Sequence, residues 1–284
     1  MNYATLISVD QLKTLRRENT PLIIFDCSFD LANAAAGEAA YEASHLPGAV
    51  YVHLDRDLSD KSGHGVNGGR HPLPTREKFA AWLGAVGFSN DQQAVVYDRQ
   101  GANYCGRLWW MLKWAGHENV AVLDGGLQAW AATEELEAGA QSARTASIFT
   151  ATSARAELVT TQNVAARLGR PAQTLIDARA TARFKGEVEP LDPVAGHIPG
   201  ALNRPFGLNI GANGKFKPPE QLKAEFEDLL AGRNPSSVVH HCGSGVSAVP
   251  NILAMEIAGL GRTGLYAGSW SEWCSDADRP IAQG

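Results

Sequence analysis

Short apolar runs alternate with amphipathic stretches along the whole chain. Leu22-Ile23-Ile24-Phe25-Asp26, Val50-Tyr51-Val52, Ala94-Val95-Val96-Tyr97-Asp98 and Val120-Ala121-Val122-Leu123 are continuously apolar and rich in β-branched residues, so they read as strands covered on both faces. Helical patterns fall between them, at residues 10–17, in an Ala-rich stretch before Ser44, at 75–86 and around Arg107 to Leu112. The second half repeats this order. Leu175-Ile176-Asp177 answers Phe25-Asp26, Gly196-His197-Ile198-Pro199-Gly200-Ala201 answers Ser44-His45-Leu46-Pro47-Gly48-Ala49, Val238-Val239 answers Val95-Val96, and Gly268-Ser269-Trp270 answers the segment from Gly125 to Trp130. The pattern predicts a duplicated α/β domain, with copies at 1–136 and 156–284 joined by an Ala/Ser/Thr/Gly-rich linker at 137–155. Ligands of such parallel sheets bind beyond the carboxyl ends of the strands.

The composition narrows the classes. The chain has 284 residues, a net charge of −5, 44% hydrophobic and 19% charged residues, which suits two ordinary domain cores. No basic block stands out, so nucleic acid is excluded as a partner, and no apolar run reaches membrane-spanning length. Residues 1–8 alternate like a strand, without the basic start and apolar core of a secretory signal, so a cytoplasmic location is expected. Cys27, Cys105, Cys242 and Cys274 are widely scattered with no C-x-x-C spacing, which argues against a structural zinc site and against a disulfide framework.

The copies differ at one place that carries chemistry. Val238-Val239-His240-His241 runs into Cys242-Gly243-Ser244-Gly245-Val246-Ser247-Ala248, and Pro250 comes next at the head of a helical segment. A strand, a tight loop and a helix start aim the backbone N–H groups of Gly243 to Ala248 inward, forming an anion cradle. A cysteine there is expected to ionise more easily than a free thiol and to act as a nucleophile. The first copy has Asp98-Arg99 where the second has His241-Cys242, so only the second is expected to react; Cys27, Cys105 and Cys274 read as structural. Three rival readings fit less well. A dinucleotide fingerprint needs an acid about 20 residues on, where none stands. A phosphatase loop needs a closing arginine, where the chain has Ala248. A merely buried cysteine leaves the glycine cradle without a purpose.

On these residues the chain resembles the tandem rhodaneses, a sulfurtransferase family. The resemblance spans nearly the whole chain and includes the paired His-(Leu/Ile)-Pro-Gly-Ala motifs, the Gly-x-x-x-Trp endings, an inert first copy and the cysteine loop. It implies two parallel five-stranded sheets, each with helices on both faces, and no cofactor or metal. The uncharged loop is similar to that of the 3-mercaptopyruvate branch, whereas thiosulfate-using relatives carry cations there. By the same resemblance Cys242 takes sulfur from a small-molecule donor as a persulfide and passes it to a thiol acceptor such as thioredoxin or glutathione, or to cyanide. A relay of Ser244, His71 and Asp57 is implied for the proton steps, and Arg183 for the donor carboxylate. A second substrate arginine of the family pattern is missing, with Leu191 near its place; Arg204, at the end of a parallel strand, is expected to compensate. Two alternatives stay open, a thiosulfate donor with the same Cys242 persulfide and a non-catalytic rhodanese-like binding module.

Overall fold

The computed structural model describes residues 2–142 and 144–284 and divides the chain into two units. The first takes Met1–Asp60, Pro74–Arg155 and Ala212–Phe216; the second takes Lys61–Leu73, Ala156–Gly211 and Lys217–Gly284. The expected linker therefore groups with the first unit, while a short segment from the first half of the chain, 61–73, groups with the second.

The first unit runs β1 (Leu6–Ile7), α1 (Val9–Arg17), β2 (Leu22–Asp26), α2 (Ala36–Ala43), β3 (Val50–Tyr51), α3 (Arg76–Ala85), β4 (Gln93–Tyr97), α4 (Cys105–Trp114), β5 (Val120–Leu123) and α5 (Gly126–Ala131). Its sheet is all parallel in the order β1-β5-β4-β2-β3. Helix starts are set locally: the Ser8 hydroxyl accepts from Gln11 N–H in a capping box, and Thr75 does the same for Lys78. The apolar runs fill the core as their pattern requires, with Val95, Tyr97, Ala121 and Leu123 buried against Leu12 and Leu15 of α1.

The second unit runs α6 (Thr161–Ala166), β6 (Thr174–Asp177), α7 (Thr181–Lys185), β7 (Leu202–Asn203), α8 (Pro219–Leu230), β8 (Val238–His241), α9 (Val249–Ile257), β9 (Gly264–Leu265) and α10 (Ser269–Trp273). Its parallel sheet has four strands, β7-β6-β8-β9, rather than the expected five. The place that β1 fills beside β5 is taken by one parallel bridge, Leu158 to Leu265, just before Thr160 caps α6. No helix among the described residues is long and apolar enough to cross a membrane.

Burial lowers the pKa of three core histidines below the usual value: His117 in the first unit, and His240 and His241 in the second, with His240 brought down to about 3. The unfolded chain therefore binds protons that the folded chain refuses as pH falls below about 6.5, so the stability is present above that pH and lost below it. For His240 alone the loss is about 2 kcal/mol at pH 5, from 1.36 kcal/mol per unit. Urea titrations should give a lower midpoint at pH 5 than at pH 7, and His240→Leu should shrink the difference; equal midpoints for the wild type would contradict the burial argument.

Candidate active site

Strand β8 ends at His241, whose carbonyl accepts Ala178 N–H at 2.8 Å, and the next residue is Cys242. The Cys242 backbone is held on both sides. Its N–H donates to Ser269 Oγ at 3.1 Å, its carbonyl accepts Trp270 N–H at 3.0 Å, and the Gly243 carbonyl accepts Ser271 N–H at 2.9 Å. Ser269 is fully buried in a left-handed conformation, φ 56°, and its hydroxyl also donates to the Tyr266 carbonyl. That clamp was not expected from the sequence. The only hint is that Gly126, φ 58°, holds the matching place in the first copy, where the residue needs no side chain. The loop turns back at Gly245, φ +75°, where a Cβ would lie 2.2 Å from the Ala267 carbonyl oxygen, so only glycine fits. Cys242 is 2% exposed.

The first unit shows what this loop geometry binds. Cys27 N–H bonds to the Tyr97 carbonyl as Ala178 N–H does to His241, and Leu127 N–H bonds to the Asp98 carbonyl as Trp270 N–H does to Cys242. Asp98 is thus the counterpart of Cys242, and Tyr97 of His241, one residue from the pairing that the strand ends suggest in the sequence. The Asp98 carboxylate accepts the backbone N–H groups of Gln100, Ala102, Tyr104 and Cys105 at 2.8–3.1 Å. The first copy fills its own cradle with a carboxylate. By the same offsets, the matching positions in the second unit are Ser244, Val246, Ala248 and Val249.

Beside Cys242 runs a chain of alternating charges. Asp177, at the end of β6, accepts Arg179 Nη2 at 2.7 Å; Arg179 reaches Glu189; Glu189 accepts Arg183 Nη2 at 2.6 Å; and Asp192 bridges Arg183, at 3.2 Å, to Arg70. Burial would raise the pKa of Asp177, but His241, 3.9 Å away, and Arg179 outweigh it and hold the carboxyl below the usual range. Arg179 also lies over the Trp270 ring, which ties the network to the Cys242 clamp. The network ends over the loop. A methyl group added at Gly243 would sit 2.7 Å from Arg70 Nη2 and 3.5 and 3.7 Å from the two terminal nitrogens of Arg183.

Arg204 does not join them. It is 5% exposed, its Nε donates to Asn209 and its Nη2 to Glu225, and its guanidinium lies 4.3 Å from the centre of the Phe226 ring. Glu225, which Lys217 and Arg204 together outweigh against burial, has its pKa lowered to about 2. This buried pairing makes Arg204 a residue that packs α8 against the sheet, contrary to the expectation that it takes the missing arginine's place. A strand-end position shows where the backbone lies and not which partner the guanidinium finds.

Segment 61–73 brings a histidine to the loop. His71 Nδ1 is 2.7 Å from Ser244 Oγ, and His71 is 5% exposed. The segment is docked: Arg70 N–H donates to Ser271 Oγ, and Gly69, φ +87°, would place a Cβ 2.6 Å from that same oxygen. Asp57, the remaining member of the expected relay, belongs to the first unit, where it accepts His53 N–H at 2.8 Å and pairs with Arg56. Among the described residues no group of three or more His, Cys, Asp or Glu is placed to hold a metal ion.

Comparison with known proteins agrees with this geometry. The rhodanese-like domain model matches twice, at residues 8–133 and 160–276. The chain belongs to the rhodanese family. Among relatives of this family, a Pseudomonas aeruginosa protein named a probable 3-mercaptopyruvate sulfurtransferase is 43% identical over the full length of both chains. The thiosulfate sulfurtransferase of Cricetulus griseus is 32% identical over 99% of this chain and 96% of its own. The solved Escherichia coli structure described as a rhodanese-fold 3-mercaptopyruvate sulfotransferase is 31% identical, with a TM-score of 0.78, over 95% of this chain and all of that one. In this rhodanese chain Cys27, Cys105 and Cys274 are also buried. Burial, with Asp26 and Asp98 nearby, pushes the Cys27 and Cys105 thiols well above their usual range, and burial raises Cys274.

Proposed function

We propose that this sulfurtransferase takes its sulfur from 3-mercaptopyruvate and carries it as a persulfide on Cys242. The observation that carries the reading is the cradle: its counterpart in the first unit holds a carboxylate on four backbone N–H groups, so the same loop with cysteine at its head suits an anionic sulfur. The Cys242 thiolate attacks the donor thiol sulfur. The S–S bond forms as the C–S bond breaks, the electron pair passes to carbon as the enolate of pyruvate, and the donor thiol proton ends on that carbon. The products are pyruvate and a Cys242 persulfide anion. Ser244 and His71, in contact at the loop, are the groups we assign to that proton transfer. An acceptor anion, cyanide or the thiolate of glutathione or thioredoxin, then attacks the outer sulfur and restores the Cys242 thiolate.

Two features support a monocarboxylate donor over thiosulfate. The loop carries no cation from Cys242 to Ala248. The network beside it is already balanced, with Arg70, Arg179 and Arg183 against Asp177, Glu189 and Asp192, so it offers no surplus positive charge to offset the greater desolvation cost of a dianion. Turnover to cyanide with each donor tests this. The kcat/KM for 3-mercaptopyruvate should exceed that for thiosulfate by at least about tenfold, or 1.4 kcal/mol; the reverse preference would replace the donor and leave Cys242 in its role.

A further inference from the structure

We infer that Ser271, on α10, is a positioning residue for the proton transfer: by holding the backbone N–H of Arg70 it sets where His71 stands against Ser244. This rests on the reading of Ser244 and His71 as the proton-transfer pair and names what keeps that pair in register.

Ser271 ties together three parts of the second unit. Its N–H donates to the carbonyl of Gly243, the residue after the nucleophile, at 2.9 Å. Its hydroxyl donates to the Gly268 carbonyl at 3.2 Å and accepts Arg70 N–H at 3.1 Å. A hydroxyl has one proton to give, and with that proton on Gly268 the oxygen is left to accept from Arg70. The next residue along the segment is His71, whose Nδ1 lies 2.7 Å from Ser244 Oγ. One serine therefore joins the nucleophile loop to the backbone that carries the histidine.

The segment is built to take its position from such an anchor. Val66 N–H donates to the Leu73 carbonyl at 2.8 Å and Leu73 N–H to Asn67 Oδ1 at 3.0 Å, so residues 66–73 are closed on themselves. The part laid against α10 is glycine. A Cβ at Gly68 would lie 3.1 Å from Glu272 Cγ, and one at Gly69 would lie 2.6 Å from Ser271 Oγ. Bare backbone against a helix fixes the separation but not the position along it. The directional bond from Arg70 N–H to Ser271 supplies that position.

The first copy uses the same place differently. Leu127 N–H bonds to the Asp98 carbonyl as Trp270 N–H does to Cys242, which makes Gln128 the counterpart of Ser271 and Arg99 that of Gly243. There the side chain does the loop's work, since Gln128 Nε2 donates to the Arg99 carbonyl at 3.0 Å. In the second unit the Ser271 backbone takes the loop carbonyl, and the side chain is left to hold the segment that bears His71.

The test is a double-mutant cycle in the full chain: wild type, Ser271→Ala, His71→Ala and the double variant, with Ser271→Thr beside them, assayed for transfer to cyanide from both donors. For Ser271→Ala we expect turnover of 3-mercaptopyruvate to fall about 10-fold, the upper end for one hydrogen bond, and transfer from thiosulfate to fall far less. Thiosulfate also reports that the Cys242 loop is intact, because the Ser271 bond to Gly243 is made by the backbone and survives the replacement. In the His71→Ala background the same replacement should cost less than about twofold, since a residue that acts through His71 then has nothing to position. Ser271→Thr, which keeps the hydroxyl, should recover most of the loss. Losses that multiply in the double variant, equal losses with both donors, or full activity in Ser271→Ala would each overturn the inference. If His71→Ala itself turns over 3-mercaptopyruvate like wild type, the reading of the proton-transfer pair fails instead.

Discussion

Replacing Cys242 with serine is expected to abolish sulfur transfer from either donor, a loss of at least about 10⁴-fold in kcat, because a hydroxyl is neither ionised at neutral pH nor able to hold a transferable sulfur. The protein should remain folded. Cys242 is anchored through its backbone to Ser269 and Trp270, and those bonds survive the change of one side-chain atom. Cys27, Cys105 and Cys274 are expected to be poor substitutes, since burial raises all three thiols. Turnover assays with a thermal melt alongside check this; residual transfer within tenfold of wild type would remove Cys242 from the reaction.

Replacing His71 with alanine should separate the two donors. Sulfur leaves thiosulfate with its bonding pair remaining on sulfite, and no proton moves. Sulfur leaves 3-mercaptopyruvate only when the donor thiol loses its proton and the departing carbon gains one. Without the His71 contact to Ser244, turnover of 3-mercaptopyruvate should fall about 10²- to 10⁴-fold, the usual span for a general acid–base group, and transfer from thiosulfate should change far less. Ser244→Ala should show the same pattern. Parallel losses with both donors would mean that the pair holds the loop and moves no proton.

Much of this was legible in the residues. The duplicated pattern predicted two parallel α/β units, and a β-branched strand ending at Cys242 before a glycine loop pointed to the nucleophile, because both signals are local in sequence. Features set by distant contacts were not legible. Ser269 clamps Cys242 from 27 positions away, and nothing in Gly268-Ser269-Trp270 announces a left-handed serine. Nothing around Arg70 in the sequence announces that Asp192 and Gly243 lie beside it. Arg204 failed as a substrate candidate because Glu225 and Phe226, on α8, claim its side chain. The fifth strand of the second sheet is reduced to a single bridge from Leu158 to Leu265. The match of Asp98 to Cys242 needed the hydrogen-bond register, for the strand ends alone put it one residue off.

The first copy also makes sense in these terms. Its cradle is closed by the Asp98 carboxylate, and Arg99 turns away to pair with Asp26, the counterpart of Asp177. One loop geometry thus serves a structural carboxylate in one unit and a proposed sulfur anion in the other.

The most direct measurement is the mass of the Cys242 peptide after the protein meets 3-mercaptopyruvate without an acceptor, read together with the pyruvate released. The expected result is a gain of one sulfur atom on Cys242, matched by one equivalent of pyruvate and reversed by cyanide. Pyruvate release with Cys242 unmodified, or the added sulfur on another cysteine, would contradict the account.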